Sequence, residues 1–120
     1  MSYRNLEIYQ LAREIVIDIH KMTLTELPAF EMYEEGGQIR RSSKSVKSTI
    51  VEGYGRRKYH RDYTKFIIYA LSSNDETIDH LDTLYETGSL TNQKLYEHLL
   101  NKLNLLGKKL NRFLQAIEKF

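Results

Sequence analysis

Apolar residues in this chain recur at three- and four-residue steps in four separate stretches, the spacing that places side chains on one face of an α-helix. The first stretch is Ile8, Leu11, Ala12, Ile15, Ile19 and Met22, which predicts a helix from about Asn5 to Thr23, with Val16 and Ile17 widening its stripe. Leu27-Pro28 interrupts it, because the proline ring fixes φ and disfavours helix in the residue before it. Residues 24 to 36 therefore read as a connection, and Gly36-Gly37 as the approach to the second helix. There Ile39, Ser43, Val46, Ile50 and Gly53 step alternately by four and three, a heptad-like seam of small residues that lets neighbouring helices come close. Gly53 and Gly55 read as its end, in the left-handed conformation of a helix C-cap.

The third helix is predicted from near Tyr59 to Thr87, with Tyr63, Ile67, Ala70, Asn74, Ile78, Leu81 and Tyr85 as its seam and Gly88 as its stop. Asn74 is the polar member, which in a bundle serves to fix register. The fourth helix has the cleanest pattern: Leu95, Leu99, Leu103, Leu106, Leu110, Phe113, Ile117 and Phe120, with Thr91 as N-cap. A second line, Leu100, Gly107 and Leu114, adds apolar surface that either broadens the core or belongs to an oligomer contact. Four amphipathic helices with mostly short connections make an all-α fold, an antiparallel up-down-up-down four-helix bundle, with residues 1–120 as one domain.

Composition agrees with few, long elements: one Pro and six Gly in 120 residues leave little turn material. Cysteine is absent, which removes disulfides, thiolate zinc sites and a cysteine nucleophile. Arg4, Glu7, Arg13, Glu14 and Asp18 interrupt the N-terminal stretch, so it reads as neither a signal peptide nor a membrane span, and a soluble cytoplasmic protein is expected.

Charge changes the picture more than composition does. The formal net charge is only +2. Half of the 18 Lys and Arg residues nevertheless fall between Arg40 and Lys65, where Glu52 and Asp62 are the only acids. From Phe66 to Gln93 there is no Lys or Arg at all, while Asp75, Glu76, Asp79, Asp82 and Glu86 follow one another along the third helix. Antiparallel packing of helices two and three would set Arg40 and Arg41 opposite Asn74, Asp75 and Glu76, partly neutralising that half. Arg56, Arg57, Lys58, Arg61 and Lys65 have no such partners and would form a basic tip. Arg41, Lys44 and Lys47 make a secondary strip on the outer face of helix two.

With Tyr54, Tyr59 and Tyr63 interleaved, the tip has cations to displace phosphate counterions and rings on which unpaired bases stack, the ingredients for sequence-nonspecific RNA or DNA binding. The competing account is a solvated surface, or one paired with acids of a neighbouring subunit or a partner protein. For a metal site, the nearest constellation is Glu76 and His80 with Asp75 and Asp79 beside them. No Glu-x-x-His occurs, and His20, His60 and His98 stand apart from any ligand cluster, so no metal and no cofactor are expected. Ser42, Ser43, Ser45, Ser48 and Thr49 suit close packing rather than nucleophilic catalysis, and Glu52 suits an ion pair with Arg56 or with another helix. No catalytic residue is assigned.

Gln38-Ile39-Arg40-Arg41, Ser45-Val46 and Ile50-Val51-Glu52-Gly53-Tyr54-Gly55-Arg56, followed by Phe66, Ala70, Ser73 and Glu76, resemble the four-helix-bundle proteins encoded in intervening sequences of bacterial 23S ribosomal RNA genes. Leu27-Pro28 looks like that family's Phe-Pro connection. Thr49 stands where an Asn usually precedes Ile-Ala-Glu-Gly, and Ser72 where a Gly usually precedes the helix-three Ser. The resemblance implies homopentameric rings, no enzymatic activity, and kinship with the accessory proteins of diversity-generating retroelements, which engage nucleic acid and a reverse transcriptase through basic surfaces. The resulting expectation is a non-enzymatic nucleic-acid-binding or accessory scaffold; the alternative is a structural protein-interaction module with no nucleic-acid role.

Overall fold

The computed structural model of the protein describes residues 2–119. Among them are four α-helices, α1 (Glu7–Thr25), α2 (Glu35–Gly55), α3 (His60–Glu86) and α4 (Gln93–Glu118), with short 3₁₀ segments at Tyr3–Asn5 and Ala29–Tyr33 and no strand. The helices lie along a rod of 46 × 22 × 21 Å, a length set by the 27 residues of α3 at roughly 1.5 Å each. The expected stripes meet in one core: Ile8, Ala12, Ile15, Ile19 and Met22 from α1, Ile39, Val46 and Ile50 from α2, Ile67, Ala70 and Leu81 from α3, and Leu99, Leu103, Leu106 and Leu110 from α4. Leu84 joins them in place of the expected Tyr85, which is half-buried and stacks on Tyr96. Ile17 does not join the α1 stripe, because half of its surface stays in water. Leu100 and Leu114 pack against the core, so the second apolar line of α4 is absorbed within the chain. Phe120, the last member of that helix's seam, lies outside the described residues.

Cross-helix contacts run in opposite senses along three of the touching pairs, α2–α3, α3–α4 and α1–α4. Rising along α2, Glu35, Ser42 and Ser45 meet His80, Thr77 and Ser73 of α3. Asn74 and Asp82 of α3 meet Leu103 and Tyr96 of α4, and Glu7 and Asp18 of α1 meet Lys109 and Lys102. The α2–α3 contact is made through small groups: Ser45 Oγ lies 3.0 Å from Ser73 Oγ, and Thr77 Oγ1 donates to Ser42 Oγ at 2.8 Å. Asn74 is buried and its Nδ2 donates to the Leu103 carbonyl at 2.9 Å, pinning α3 to α4 where Gly107 leaves room for it.

Helix ends depart from the sequence reading in three places. α2 begins at Glu35, so Gly36 and Gly37 belong to its first turn. A Cβ on Gly36 would sit 2.4 Å from the Glu31 carbonyl oxygen, which makes that glycine a condition for laying Ala29–Tyr33 across the helix start. At the other end α2 runs through Gly55 without a left-handed residue. Among the described residues the positive φ belongs to Gly88, at 82°, just past α3. Gly53 instead serves close approach, since a Cβ there would lie 3.1 Å from Phe66 Cβ. Finally, α4 is capped by Asn92 rather than Thr91, with Asn92 Oδ1 accepting from the Leu95 amide at 3.1 Å.

Candidate nucleic-acid interface

The tip is built by the four-residue turn between α2 and α3. Tyr54, at the end of α2, turns inward and is buried. Its carbonyl accepts from Arg57 Nη1 at 2.9 Å, and the Arg57 guanidinium lies 4.1 Å from its ring centroid. A cation is favoured there, where α2 presents its last carbonyls and the negative end of its dipole. Lys58 Nζ lies 6.0 Å from the ring of Tyr59, which is 63% exposed. Arg56 differs from the sequence reading: it pairs with Asp62 at 3.4 Å while its guanidinium covers the Phe66 ring at 4.9 Å. Both partners of that ion pair are about half exposed, so it holds geometry more than it adds stability.

Arg61 and Lys65 project from the first turns of α3, where Tyr59 supplies no side-chain cap to the leading amides. With His60, Thr64, Ile68 and Tyr69 they line an open groove of about 370 Å³. Arg56, Arg57, Lys58, Arg61 and Lys65 are all exposed, opposed locally by Asp62 and Glu52. Tyr63 is not an available ring. It packs edge-on against Phe113 with centroids 5.8 Å apart, and burial followed by the nearby Tyr54 raises its hydroxyl pKa above the usual 10.0. Its place on the α3 seam already carried that outcome. The exposed rings beside the cations are Tyr59 and Tyr69, and the latter carries no sequence signal because it lies off the basic run.

The secondary strip is separate from the tip. Arg41 and Lys44 are exposed and Lys47 is half-buried; at about 1.5 Å per residue they sit roughly 14 to 22 Å down the α2 axis from Arg56. Arg41 and Glu76 border a polar groove of about 360 Å³ between α2 and α3, without an ion pair between them among the described residues. Arg40 is not an outer-face base. It is half-buried, and its Nη2 donates to the Met32 carbonyl, tying the Ala29–Tyr33 segment to α2.

The end of the bundle away from the tip uses its charges internally. Glu31 is buried; its Oε1 accepts from the Glu35 amide at 3.1 Å and its Oε2 from Ser89 Oγ at 2.6 Å. His80 Nδ1 donates to Glu35 Oε2 at 2.7 Å, and its Nε2 lies 3.6 Å from Glu76 Oε1. These roles were not legible in the sequence, where Glu31 is one acid in a run with Glu34 and Glu35. Among the described residues no group of three or more His, Asp or Glu is placed to hold a metal ion, and no helix is long and apolar enough to cross a membrane. Thr49, one of the two positions that depart from the resembled pattern, donates to the Ser45 carbonyl at 2.7 Å; Ser72, the other, is exposed.

A family model described as 23S rRNA-intervening sequence protein matches residues 4–112 of this chain. The fold is also that of a crystal structure from Bacteroides thetaiotaomicron, a protein of unknown function from the S23 ribosomal protein family. The two superpose with a TM-score of 0.78 at 22% identity, over 90% of this chain and 95% of that one. No curated protein matches the chain.

Proposed function

The chain belongs to the 23S rRNA-intervening sequence protein family, and on that premise we propose that it is a non-enzymatic, cytoplasmic scaffold that binds RNA or DNA through the α2–α3 tip. The observation that carries this reading is the clustering of Arg56, Arg57 and Lys58 in the α2–α3 turn with Arg61 and Lys65 on the first turns of α3, all exposed. Each neutralised phosphate releases counterions, so such a tip holds a polyanion without reading its sequence. The proposal includes the antiparallel up-down-up-down arrangement, supported by the opposite senses of the cross-helix pairs, and a homo-oligomer, a pentamer by family resemblance. A ring of tips would multiply weak contacts. Arg41, Lys44 and Lys47 would act as an outlying strip, reached by a longer strand or by a partner protein.

The test is binding of the size-verified protein to RNA and DNA across a salt series, beside Arg56, Arg57 and Lys58 changed together to Ala. Affinity falling steeply with salt, with the slope reduced by about 2 to 3 in the triple variant, is the expected result. Absence of binding at low salt by correctly assembled protein would sink the reading. It would favour a protein-interaction module, for which Ile17 and Leu24, both half-exposed on α1, are the observation in support.

A further inference from the structure

Two exposed rings near the tip each carry a lysine. Lys58 stands beside Tyr59, and on α3 Lys65 Nζ lies 5.8 Å from the centroid of Tyr69, a ring 43% exposed. Between them runs the groove of His60, Arg61, Thr64, Lys65, Ile68 and Tyr69, all on one face of α3. Ile68 in this groove is 44% exposed, so the floor is apolar while two cations flank it. A face serving solvation would be polar throughout, and a face serving the core would be covered. The Tyr69 ring is also held: Phe66 packs edge-on against it at 5.7 Å, and Phe66 in turn lies under the Arg56 guanidinium. One line of contacts thus runs from the tip through Arg56, Phe66 and Tyr69 to Lys65.

We propose that this α3 groove seats unpaired bases, so that the ligand of the tip is single-stranded nucleic acid rather than duplex. The inference rests on the reading of the tip as a phosphate-binding surface and adds what lies next to the phosphates. A duplex keeps its base faces stacked inside and would offer Arg61 and Lys65 only phosphate, leaving Ile68 and Tyr69 in water. A single strand offers both, its phosphates to the lysine and arginine and its base faces to the rings. Ten residues separate Tyr59 from Tyr69, about 15 Å along the helix. That is several times the roughly 3.4 Å rise per base in a stack, so the two rings take different bases.

The experiment compares short oligo(dT), oligo(U) and a duplex of equal length, by fluorescence anisotropy at low salt. The proteins are the full chain, Tyr69→Ala, Tyr69→Phe, Ile68→Ser, and the Arg56, Arg57 and Lys58 triple alanine variant. The single strands are expected to bind more tightly than the duplex. Tyr69→Ala should weaken them about tenfold, the usual loss of one stacked base, and leave duplex binding in place. Tyr69→Phe should restore the affinity, and Ile68→Ser should weaken single strands in the same selective way. The base-seat proposal is overturned, with the phosphate-binding tip left standing, if the triple variant weakens both ligands while the Tyr69 and Ile68 variants weaken neither or weaken both alike. Failure of the parent chain to bind any of the three overturns both readings together.

Discussion

Where α2 begins and α3 ends, Glu31, Glu35, Arg40 and His80 are buried or half-buried. Glu31, Glu35 and His80 spend polar atoms on one another, on Ser89 or on backbone, and Arg40 bonds the Met32 carbonyl through Nη2 while its Nη1 is buried without a partner among the described residues. Where α2 ends and α3 begins, Arg56, Arg57, Lys58, Arg61 and Lys65 face water with Asp62 as the close acid. The same hairpin therefore carries charge that is used inside the fold at one end and charge that stays exposed to water at the other. The difference lies in solvent. A buried polar atom stripped of its partner costs about 1 to 3 kcal/mol, whereas an exposed charge loses little when its neighbour is removed.

The sharpest way to break this contrast is at Gly36. Gly36→Ala puts a methyl into the Glu31 carbonyl and is expected to cost about 3 kcal/mol or more, read as a lowered urea midpoint, because backbone rather than a flexible side chain must give way. Next comes Glu31→Ala, which strands the Glu35 amide and the Ser89 hydroxyl and should cost about 2 kcal/mol. Glu34→Ala, exposed in the same run, should stay within about 0.5 kcal/mol. Arg40→Ala is expected to lose about 1.5 kcal/mol with its bond to the Met32 carbonyl. Each tip alanine, at Lys58, Arg61 or Lys65, should stay within about 0.5 kcal/mol in the same unfolding experiment while weakening nucleic-acid binding. A tip variant as destabilising as Arg40→Ala would erase the distinction between the two ends.

The smallest expected effect is a titration. The bond that the Tyr96 hydroxyl donates to Asp82 pushes its pKa from 10.0 up to about 12, with burial adding to the shift. Folding thus favours the neutral phenol. Its contribution is complete below the ordinary value of 10.0 and is lost as the pH climbs towards about 12. Stability should fall with pH across that window, and Tyr96→Phe should flatten the fall. An unchanged slope in the variant would remove Tyr96 from the account.

Much of the fold could be read from the residues because helix periodicity is a local property. The α1, α2 and α4 stripes follow from spacing alone, and Gly88 reads as the stop of α3 because it comes just past the last periodic residue. The basic tip was legible for a similar reason: its residues are contiguous around a turn, where no helix face has to be chosen. The details of capping were not. Thr91 and Asn92 are adjacent candidates with the same chemistry, and which of them accepts the Leu95 amide depends on where the loop delivers the chain. Gly53 and Gly36 look like punctuation in a sequence, yet both sit inside α2 because neighbouring backbone and side chains come too close for a Cβ.

Sequence by itself determined the number of helices, the buried stripes of α1, α2 and α4 and the asymmetry of charge along the hairpin, since each follows from residue type and spacing within one element. Only the tertiary structure decided which charges are used up inside the molecule and which rings reach solvent. Glu31 and Glu34 are three residues apart and chemically identical, and one is buried under Ser89 while the other is in water. Tyr54 and Tyr59 lie five residues apart at one turn, and one is buried beneath the Arg57 guanidinium while the other faces out. Burial and pairing belong to the neighbours that packing brings in from distant parts of the chain, and no periodicity within a single helix records them.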